Sequence, residues 1–291
     1  MVQDKLLILT FTNKTSTITT MDLSKIYYCR ECRASHHKMI KNLKNSVLES
    51  PRNIPENIDA RTRGVLEDYA HKNIVKKPED VVRLSRMAVE RKKEWAPGRV
   101  LTVSFMGGNK TVKERLIEYA QVWSEYANIF FDFNHRQKMG DIRISFNTKD
   151  GSWSEVGTDL LAADKAAATM NFGWLTPTLN DEEFRQVVLH EFGHTLGCIH
   201  EHSRPDNGIP WDKPKVYTYY KQTDNWTPEE VDDQVFYKYN KNMIRGSKVD
   251  KKSIMMYAVP EELTLGRYSV GFNSELSKED KAFIGKLYPK K

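Results

Sequence analysis

Three histidines and a glutamate in the second half of the chain are spaced so that they could hold a catalytic metal ion. The run from 190 to 200 reads H-E-x-x-H-x-x-G-x-x-H. His190 and His194 are four residues apart, so on a helix their imidazoles lie on one face, one turn apart. Glu191 then points beside the metal, where it can accept a proton from water. With His200 as a third ligand the set keeps an open fourth position, which indicates a catalytic zinc site rather than a structural one.

A helix that continued straight through this run would carry His200 away from the other two histidines. Gly197 interrupts it, because glycine tolerates the left-handed backbone conformation that ends a helix and turns the chain back. The chain contains 8 His and 15 Gly, and at that composition the full spacing arises by chance in about one sequence in 10⁵. We therefore predict one zinc ion per chain, held by His190, His194 and His200.

The motif resembles that of the metzincin clan of zinc endopeptidases, and its flanks resemble the astacin branch. Residues 200–206 read His-Glu-His-Ser-Arg-Pro-Asp, which is similar to the H-E-x-x-R-x-D continuation of astacins. Residues 253–257 read Ser-Ile-Met-Met-Tyr, which is similar to the S-x-M-H-Y Met-turn of that branch. The resemblance implies that Met255 forms an apolar floor beneath the metal. It also implies that Tyr257 ligates zinc or stabilises the transition state.

This resemblance covers about residues 92 to 291 and departs from the astacin pattern at identifiable positions. Met256 stands where astacins usually carry histidine, and the disulfide cysteines of that branch are missing. The resemblance implies an α+β, metzincin-like zincin fold with a mixed twisted sheet, an active-site helix and a mostly helical lower half. It further implies zinc-dependent hydrolysis of protein or peptide substrates, with Glu191 as the general base and no covalent intermediate.

From residue 99 onward the chain has the periodicity of strands and amphipathic helices. Leu101, Val103 and Phe105 alternate with polar residues, which predicts a half-buried strand. A capping box at Thr111 and Glu114 predicts the start of the following helix. Further strands are predicted at 130–133 and 142–146, and together these elements favour a mixed sheet packed on helices.

The zinc motif should lie on a helix of its own. Asn180, with Glu183 three residues later, predicts the start of this active-site helix. Ser277 and Asp280 predict the start of a terminal helix in the same way. Other helices are predicted at 80–94, 211–220 and 227–239.

Residues 168–175 precede the predicted active-site helix. In metzincins the matching segment is an antiparallel edge strand to which substrate adds, so the resemblance implies that Asn171, Phe172 and Gly173 bind substrate. The unpaired N–H and C=O groups of an edge strand make such strand addition physically reasonable. The alternative is an ordinary core strand.

Residues 1 to 91 form an N-terminal extension outside the resemblance, and we expect either a propeptide or an integral domain. The basic cluster Arg91-Lys92-Lys93 is a candidate cleavage site, after which an active form would begin near Glu94. The latency motifs of the clan are missing, so inhibition would have to come from another ligand in the open zinc position. The candidates are Cys29, Cys32 and a carboxylate such as Asp68.

Cys29 and Cys32, followed by His36 and His37, have the composition of a zinc knuckle, although this spacing is not one of the strong patterns. It leaves open a second function, in which an N-terminal binding module docks the peptidase on nucleic acid or protein. A third interpretation is an inactive metzincin that acts as a binding protein. The intact Glu191 argues against that interpretation.

The composition of the chain indicates which partners it binds but not in which cellular compartment it lies. The formal net charge is +6, but the lysines are dispersed, so we expect a solvated basic surface and no nucleic acid partner. No stretch approaches the roughly 18–20 apolar residues of a membrane span, and the apolar run at 6–9 favours a strand over a signal peptide. Three cysteines do not make a disulfide framework. Secretion and a cytoplasmic location both remain open, and we expect a monomer.

Overall fold

A mixed β-sheet is the framework of the computed structural model, which describes residues 29–31, 36–54, 58–73, 75, 77, 79–80, 92–136, 139–241 and 248–290. Within these residues the strands lie in the order β1-β5-β6-β4-β2-β3. Neighbouring strands are parallel except for β5 and β6, which are antiparallel. The strands are β1 (Arg30–Glu31), β2 (Arg99–Phe105), β3 (Ile129–Asp132), β4 (Ile142–Ser145), β5 (Ser152–Ser154) and β6 (Met170–Phe172).

Along the sequence, helices lie before, between and after the strands of this sheet, so the predicted α+β class is confirmed. Two of them, α2 and α6, continue into π-helical turns at Asp68–Lys72 and Asp232–Phe236. No helix of the described residues is long and apolar enough to span a membrane. The helices are α1 (His36–Glu49), α2 (Ala60–Glu67), α3 (Lys110–Tyr126), α4 (Asp181–Thr195), α5 (Lys213–Thr223), α6 (Pro228–Val231) and α7 (Lys278–Leu287).

The main hydrophobic core lies where α3 and α4 pack against each other and the sheet. Helix α3 buries Val112, Leu116, Ala120 and Trp123. These residues are three or four positions apart and therefore form one stripe along the helix. The Trp123 indole N–H donates to the Leu189 carbonyl of α4 at 2.9 Å. The core thus holds the helix that carries the zinc motif.

Two of the three predicted helix starts are confirmed, and one is wrong. The side chains of Asn180 and Ser277 cap α4 and α7 as predicted. Helix α3 is capped by Asn109 instead of Thr111, and the Asn109 side chain accepts from the Thr111 N–H at 2.8 Å. The reason is that Asn109 has an extended backbone (φ −69°, ψ 143°) directly before Lys110, which leaves Thr111 inside the helix.

Strand β6 is internal, so the edge position predicted for residues 168–175 is wrong. It pairs with β4 on one side and with β5 on the other. On its outer side β6 pairs with β5, which is short and polar and therefore lacks the apolar pattern by which a strand is recognised. In this structure β1 occupies the free side of β5.

Asn171, Phe172 and Gly173 accordingly hold the sheet together. The Asn171 side chain accepts from the Asn147 N–H at 2.8 Å and donates to the Asn147 carbonyl at 3.0 Å. Gly173 donates its N–H to the Gly151 carbonyl at 2.9 Å, and a Cβ at Gly173 would stand 2.4 Å from that oxygen. Phe172 is buried in the main core.

Helices α1 and α2 form an N-terminal unit with a small core of its own, built from Leu43, Val47, Leu66 and Ala70. Helix α1 lies against the 3₁₀ turn Gly157–Ala162. This turn belongs to the sheet-bearing part, by which we mean the described residues from 92 onward. Polar groups make much of this contact. They include the ion pair between Lys38 and Glu155 and hydrogen bonds from Lys41 to Ala162, from Asn45 to Leu161 and from Thr158 to Ser46.

Residues 92–96 begin the sheet-bearing part. They form hydrogen bonds or ion pairs both with the N-terminal unit and with the rest of the sheet-bearing part. The Asn53 side chain donates to the Glu94 carbonyl and accepts from the Glu94 N–H, both at 2.7 Å. On the opposite side the Lys93 ammonium pairs with the buried Asp159 carboxylate at 2.8 Å. These residues are not helical, so the predicted helix at 80–94 does not reach its predicted end. Its residues 81–91 and the apolar run at 6–9 lie outside the described residues.

Trp95 ties this segment to the end of α4. Its side chain is fully buried, and its indole N–H donates to the Thr195 carbonyl at 2.7 Å. The Trp95 backbone N–H donates to the Tyr288 hydroxyl at 3.2 Å, and that hydroxyl donates to the Leu196 carbonyl at 2.7 Å. The end of the active-site helix is therefore fixed by residues from both ends of the sheet-bearing part.

We expect Trp95→Phe to lower the free energy of unfolding by about 1–3 kcal/mol, because it leaves a buried carbonyl without its donor. Urea unfolding followed by circular dichroism measures the change. Trp153→Phe is the matched control, because its indole N–H bonds to Asp150 at the surface, and it should change the free energy of unfolding by less than about 0.5 kcal/mol. Equal effects of the two substitutions would contradict the assigned role of Trp95.

Candidate metal centre

The three histidines of the motif converge on one point. His190 and His194 lie one turn apart on α4, and His200 returns after the helix has ended. The His200 Nε2 atom lies 3.1 Å from His190 Nε2 and 3.0 Å from His194 Nε2. Ligands bound at about 2.0–2.1 Å to one tetrahedral zinc stand about 3.3 Å apart. The spacing of the three nitrogens therefore fits a shared ion.

Backbone carbonyls fix which ring nitrogens face this point. His190 Nδ1 lies 2.8 Å from the Ile254 carbonyl, and His194 Nδ1 lies 2.9 Å from the Cys198 carbonyl. Because a carbonyl only accepts, Nδ1 carries the proton in both rings and Nε2 presents its lone pair. Burial lowers the pKa of His190 to about 4 and lowers the pKa of His194 well below its usual value. Neutral imidazoles with converging lone pairs are the donor set that zinc binds.

The chain turns back at Gly197, whose φ is +91°. Its N–H donates to the His194 carbonyl at 2.8 Å, and the Cys198 N–H donates to the Gly193 carbonyl at 3.0 Å. This pair of bonds is the Schellman arrangement that closes a helix at a left-handed residue. A side chain at Gly197 would be strained by this backbone conformation. The turn is what returns His200 to the other two histidines.

Met255 packs directly against the active-site helix. A Cβ at Gly193 would stand 2.5 Å from the Met255 sulfur, so a side chain there would displace Met255. The Met255 carbonyl accepts from the Glu201 N–H at 3.0 Å, which links the Met-turn to the segment after His200. The neighbouring Met256 packs into a separate apolar cluster with Ile209, Val259 and Val270.

Asp280, at the start of α7, accepts hydrogen bonds from two residues of the Met-turn. Its carboxylate accepts from the Ser253 hydroxyl at 2.6 Å and from the Ile254 N–H at 2.8 Å. The carbonyl of the same Ile254 orients the imidazole of His190. Burial raises the pKa of Asp280, and these hydrogen bonds lower it. Sequence reasoning treated Asp280 only as part of a helix start, because no local pattern connects α7 with a turn 26 residues earlier.

Glu191 lies beside the three histidines and is almost fully buried. Burial raises the pKa of its carboxyl to about 8, and a hydrogen bond from the Cys29 thiol lowers it in part. The distance from the Cys29 sulfur to Glu191 Oε2 is 3.1 Å. A carboxyl with a raised pKa is suited to exchanging protons near neutral pH.

Cys29 occupies the side of the cluster that the histidines leave open. Its sulfur and the ligand nitrogens of the three histidines all lie within 4.8 Å of one another. Of the three candidates for this position, Asp68 instead pairs with Lys72 at 2.9 Å, and Cys32 lies outside the described residues. With its thiol beside the three converging histidines, Cys29 does not support the zinc-knuckle hypothesis.

Tyr257 stands over the cluster in a stack of aromatic rings. Its ring centroid lies 4.5 Å from that of His200 and 4.2 Å from that of His202. Its hydroxyl donates to the backbone carbonyl of Cys29. His202 is fully buried, and its Nε2 lies 3.0 Å from the Gln234 carbonyl. Sequence reasoning did not single out His202, because nothing in the motif distinguishes a ring that stacks on tyrosine from a surface histidine.

We expect Asp280→Asn to weaken zinc binding by about 10–100-fold, the usual effect of losing a group that orients a metal ligand. The amide keeps the size of the carboxylate but offers one acceptor oxygen, so the Met-turn loses a hydrogen bond. Chelator competition at equilibrium measures the change. Glu279→Gln, an exposed position on the same helix turn, is the matched control and should leave affinity unchanged. Wild-type affinity in Asp280→Asn would contradict the relay through Ile254.

Comparisons with known proteins agree with this geometry. Residues 87–289 match the model of the astacin peptidase family. The chain is 28% identical over 226 residues to zinc metalloproteinase dpy-31 of Teladorsagia circumcincta, covering 72% of this chain and 34% of that protein. The corresponding protein of Caenorhabditis elegans is 28% identical over 206 residues, covering 67% of this chain and 32% of that protein. The chain thus spans about a third of the length of the curated relatives it matches.

A solved structure of myroilysin shows the same fold. It superposes with a TM-score of 0.67 at 43% sequence identity and covers 70% of this chain and 98% of its own. The family match includes the converging histidines, the glutamate beside them and the Met-turn. The chain therefore belongs to the astacin family of metzincin metallopeptidases.

Proposed function

We propose that this chain is a zinc-dependent endopeptidase that hydrolyses peptide bonds in protein or peptide substrates. The observation that carries the proposal is the convergence of three imidazole nitrogens beside a buried carboxyl whose pKa is raised. Such a set binds one ion with a position left for chemistry, and it supplies the base that chemistry needs. Membership in the astacin family supports the same conclusion.

The residues of the site divide the reaction between them. His190, His194 and His200 would hold the zinc ion, which when bound polarises a carbonyl and lowers the pKa of water. Glu191 accepts the proton of the attacking water and then donates it to the leaving amine. The Tyr257 hydroxyl, once released from Cys29, donates a hydrogen bond to the carbonyl oxygen as that oxygen gains negative charge. Such donors contribute about 2.7–4 kcal/mol in other enzymes.

We expect Glu191→Gln and Tyr257→Phe to change the kinetic parameters in different ways, because the two residues have different roles. Each variant should keep one zinc per chain. Loss of the base in Glu191→Gln should lower kcat by about 10²–10⁴-fold. Tyr257→Phe should lower kcat by about 10²–10³-fold and leave KM nearly unchanged, because the hydroxyl acts mainly in the transition state. Metal analysis and peptide kinetics measure these quantities. Full kcat in either variant, or two zinc ions per chain, would contradict the assignment.

We further propose that the N-terminal extension keeps the enzyme latent in the form described here. The Cys29 thiol reaches the open side of the histidine cluster, and its carbonyl engages the hydroxyl of Tyr257. The following residues form β1, which pairs in parallel with β5. One short segment thus faces the open metal position, the oxyanion donor and the sheet edge together. A substrate has to displace all three contacts.

The boundary between the N-terminal extension and the catalytic domain is best set before Lys92. Lys93 belongs to the catalytic domain through its ion pair with Asp159, and its carbonyl accepts from the Thr158 N–H at 3.1 Å. A form that begins near Glu94 would lose the Lys93 side chain and both contacts. A division into residues 1–91 and 92–291 retains them. The N-terminal unit, with its own small core, can then separate as a unit.

We expect full-length Cys29→Ala to cleave a peptide about tenfold faster than the wild-type chain or more, because loss of the thiol shifts the population toward an open site. Cys32→Ala is the matched control and should behave like wild type. Initial rates and melting temperatures of the three proteins give the comparison. A wild-type chain as fast as Cys29→Ala would end the latency proposal and leave the proposed peptidase activity intact.

A further inference from the structure

Gln186 lies on α4 one helical turn before His190. Residues four apart share a helix face, so the Gln186 side chain faces the same cleft as the catalytic residues. It lines one pocket together with Trp174 and Val187 and with His190, Glu191, Tyr257 and Cys29. With Cys29 in place the remaining cavity is about 10 Å³, which holds at most about one water molecule.

Gln186 lines this pocket, and its side-chain oxygen is shielded from solvent. Among the described residues this oxygen accepts no hydrogen bond. A shielded amide oxygen without a donor is costly, whereas a donor that reaches it recovers that cost. Val187 and the indole of Trp174 offer apolar surface beside it. The pocket is therefore lined by apolar residues and by a glutamine whose side-chain oxygen has no donor.

The position of this pocket relative to Glu191 indicates which substrate residue binds in it. Glu191, which donates its proton to the leaving amine, lines the pocket together with Gln186, and we therefore assign Gln186 to the amine side of the scissile bond. The substrate residue there is the one directly C-terminal to that bond. A long side chain can lay its methylene groups along the apolar wall and present its end to Gln186.

We propose that Gln186 is a specificity-determining residue that selects, directly C-terminal to the scissile bond, a long side chain ending in an N–H donor. Glutamine and lysine have this chemistry, methionine has the shape without the donor, and glutamate has acceptors only. This inference rests on the proposed peptidase function. It names the substrate class of the same site.

The experiment uses full-length protein carrying Cys29→Ala and peptides that differ only in glutamine, lysine or methionine at that position. We expect kcat/KM for the glutamine peptide to exceed that for the methionine peptide by about tenfold, the usual value of one recovered hydrogen bond. Gln186→Met should abolish this preference. Gln121→Met, an exposed glutamine on α3, is the matched control and should retain it.

A second variant keeps the test decisive if Gln186→Met does not fold. Gln186→Glu keeps the acceptor and adds charge, so it should favour a lysine peptide over the glutamine peptide by about tenfold relative to wild type. Preferences unchanged from wild type in the variants would overturn the inference and leave the peptidase function standing. Cleavage of no peptide by the zinc-loaded Cys29→Ala chain would overturn the proposed function and this inference with it.

Discussion

The convergence of three imidazole lone pairs in a buried site is the constraint on which the rest of this structure depends. Bringing His190, His194 and His200 within about a hydrogen-bond distance of one another requires a helix that stops at once and a chain that returns. Gly197 supplies the turn, and backbone carbonyls hold two of the rings in the tautomer that aims the lone pairs inward. A shared cation resolves the repulsion between these lone pairs, so the site and its ion are interdependent.

Parts of the chain that are distant in sequence hold this arrangement in place. Trp95 and Tyr288 bond to the carbonyls at the end of α4, and Asp280 fixes the Met-turn that orients His190. The close approach of Met255 to Gly193 joins the turn to the helix. The geometry of the three histidines therefore depends on tertiary contacts from Trp95 to Tyr288, although the histidines themselves lie within eleven residues.

The ligands, the base and the turn glycine could be predicted from sequence because their spacing is local and follows helix geometry. Asn171 and its neighbours were assigned to an edge because their apolar run is a stronger signal than the short polar strand β5, and only the pairing in space shows which one is outside. The position of Cys29 had no local signal at all. Its thiol meets Glu191 across 162 positions of sequence, so the sequence alone offers Cys29 only as one of three candidates for the open zinc position.

The proposed latency depends on Cys29, whose thiol lies beside the three histidines and Glu191. The most direct test is X-ray absorption at the zinc edge on the full-length chain. The account predicts three nitrogen scatterers at about 2.0–2.1 Å and one sulfur at about 2.3 Å, with the sulfur lost in Cys29→Ala. A zinc shell without sulfur in the wild-type chain would contradict thiol ligation. A shell dominated by sulfur would contradict the three-histidine centre itself.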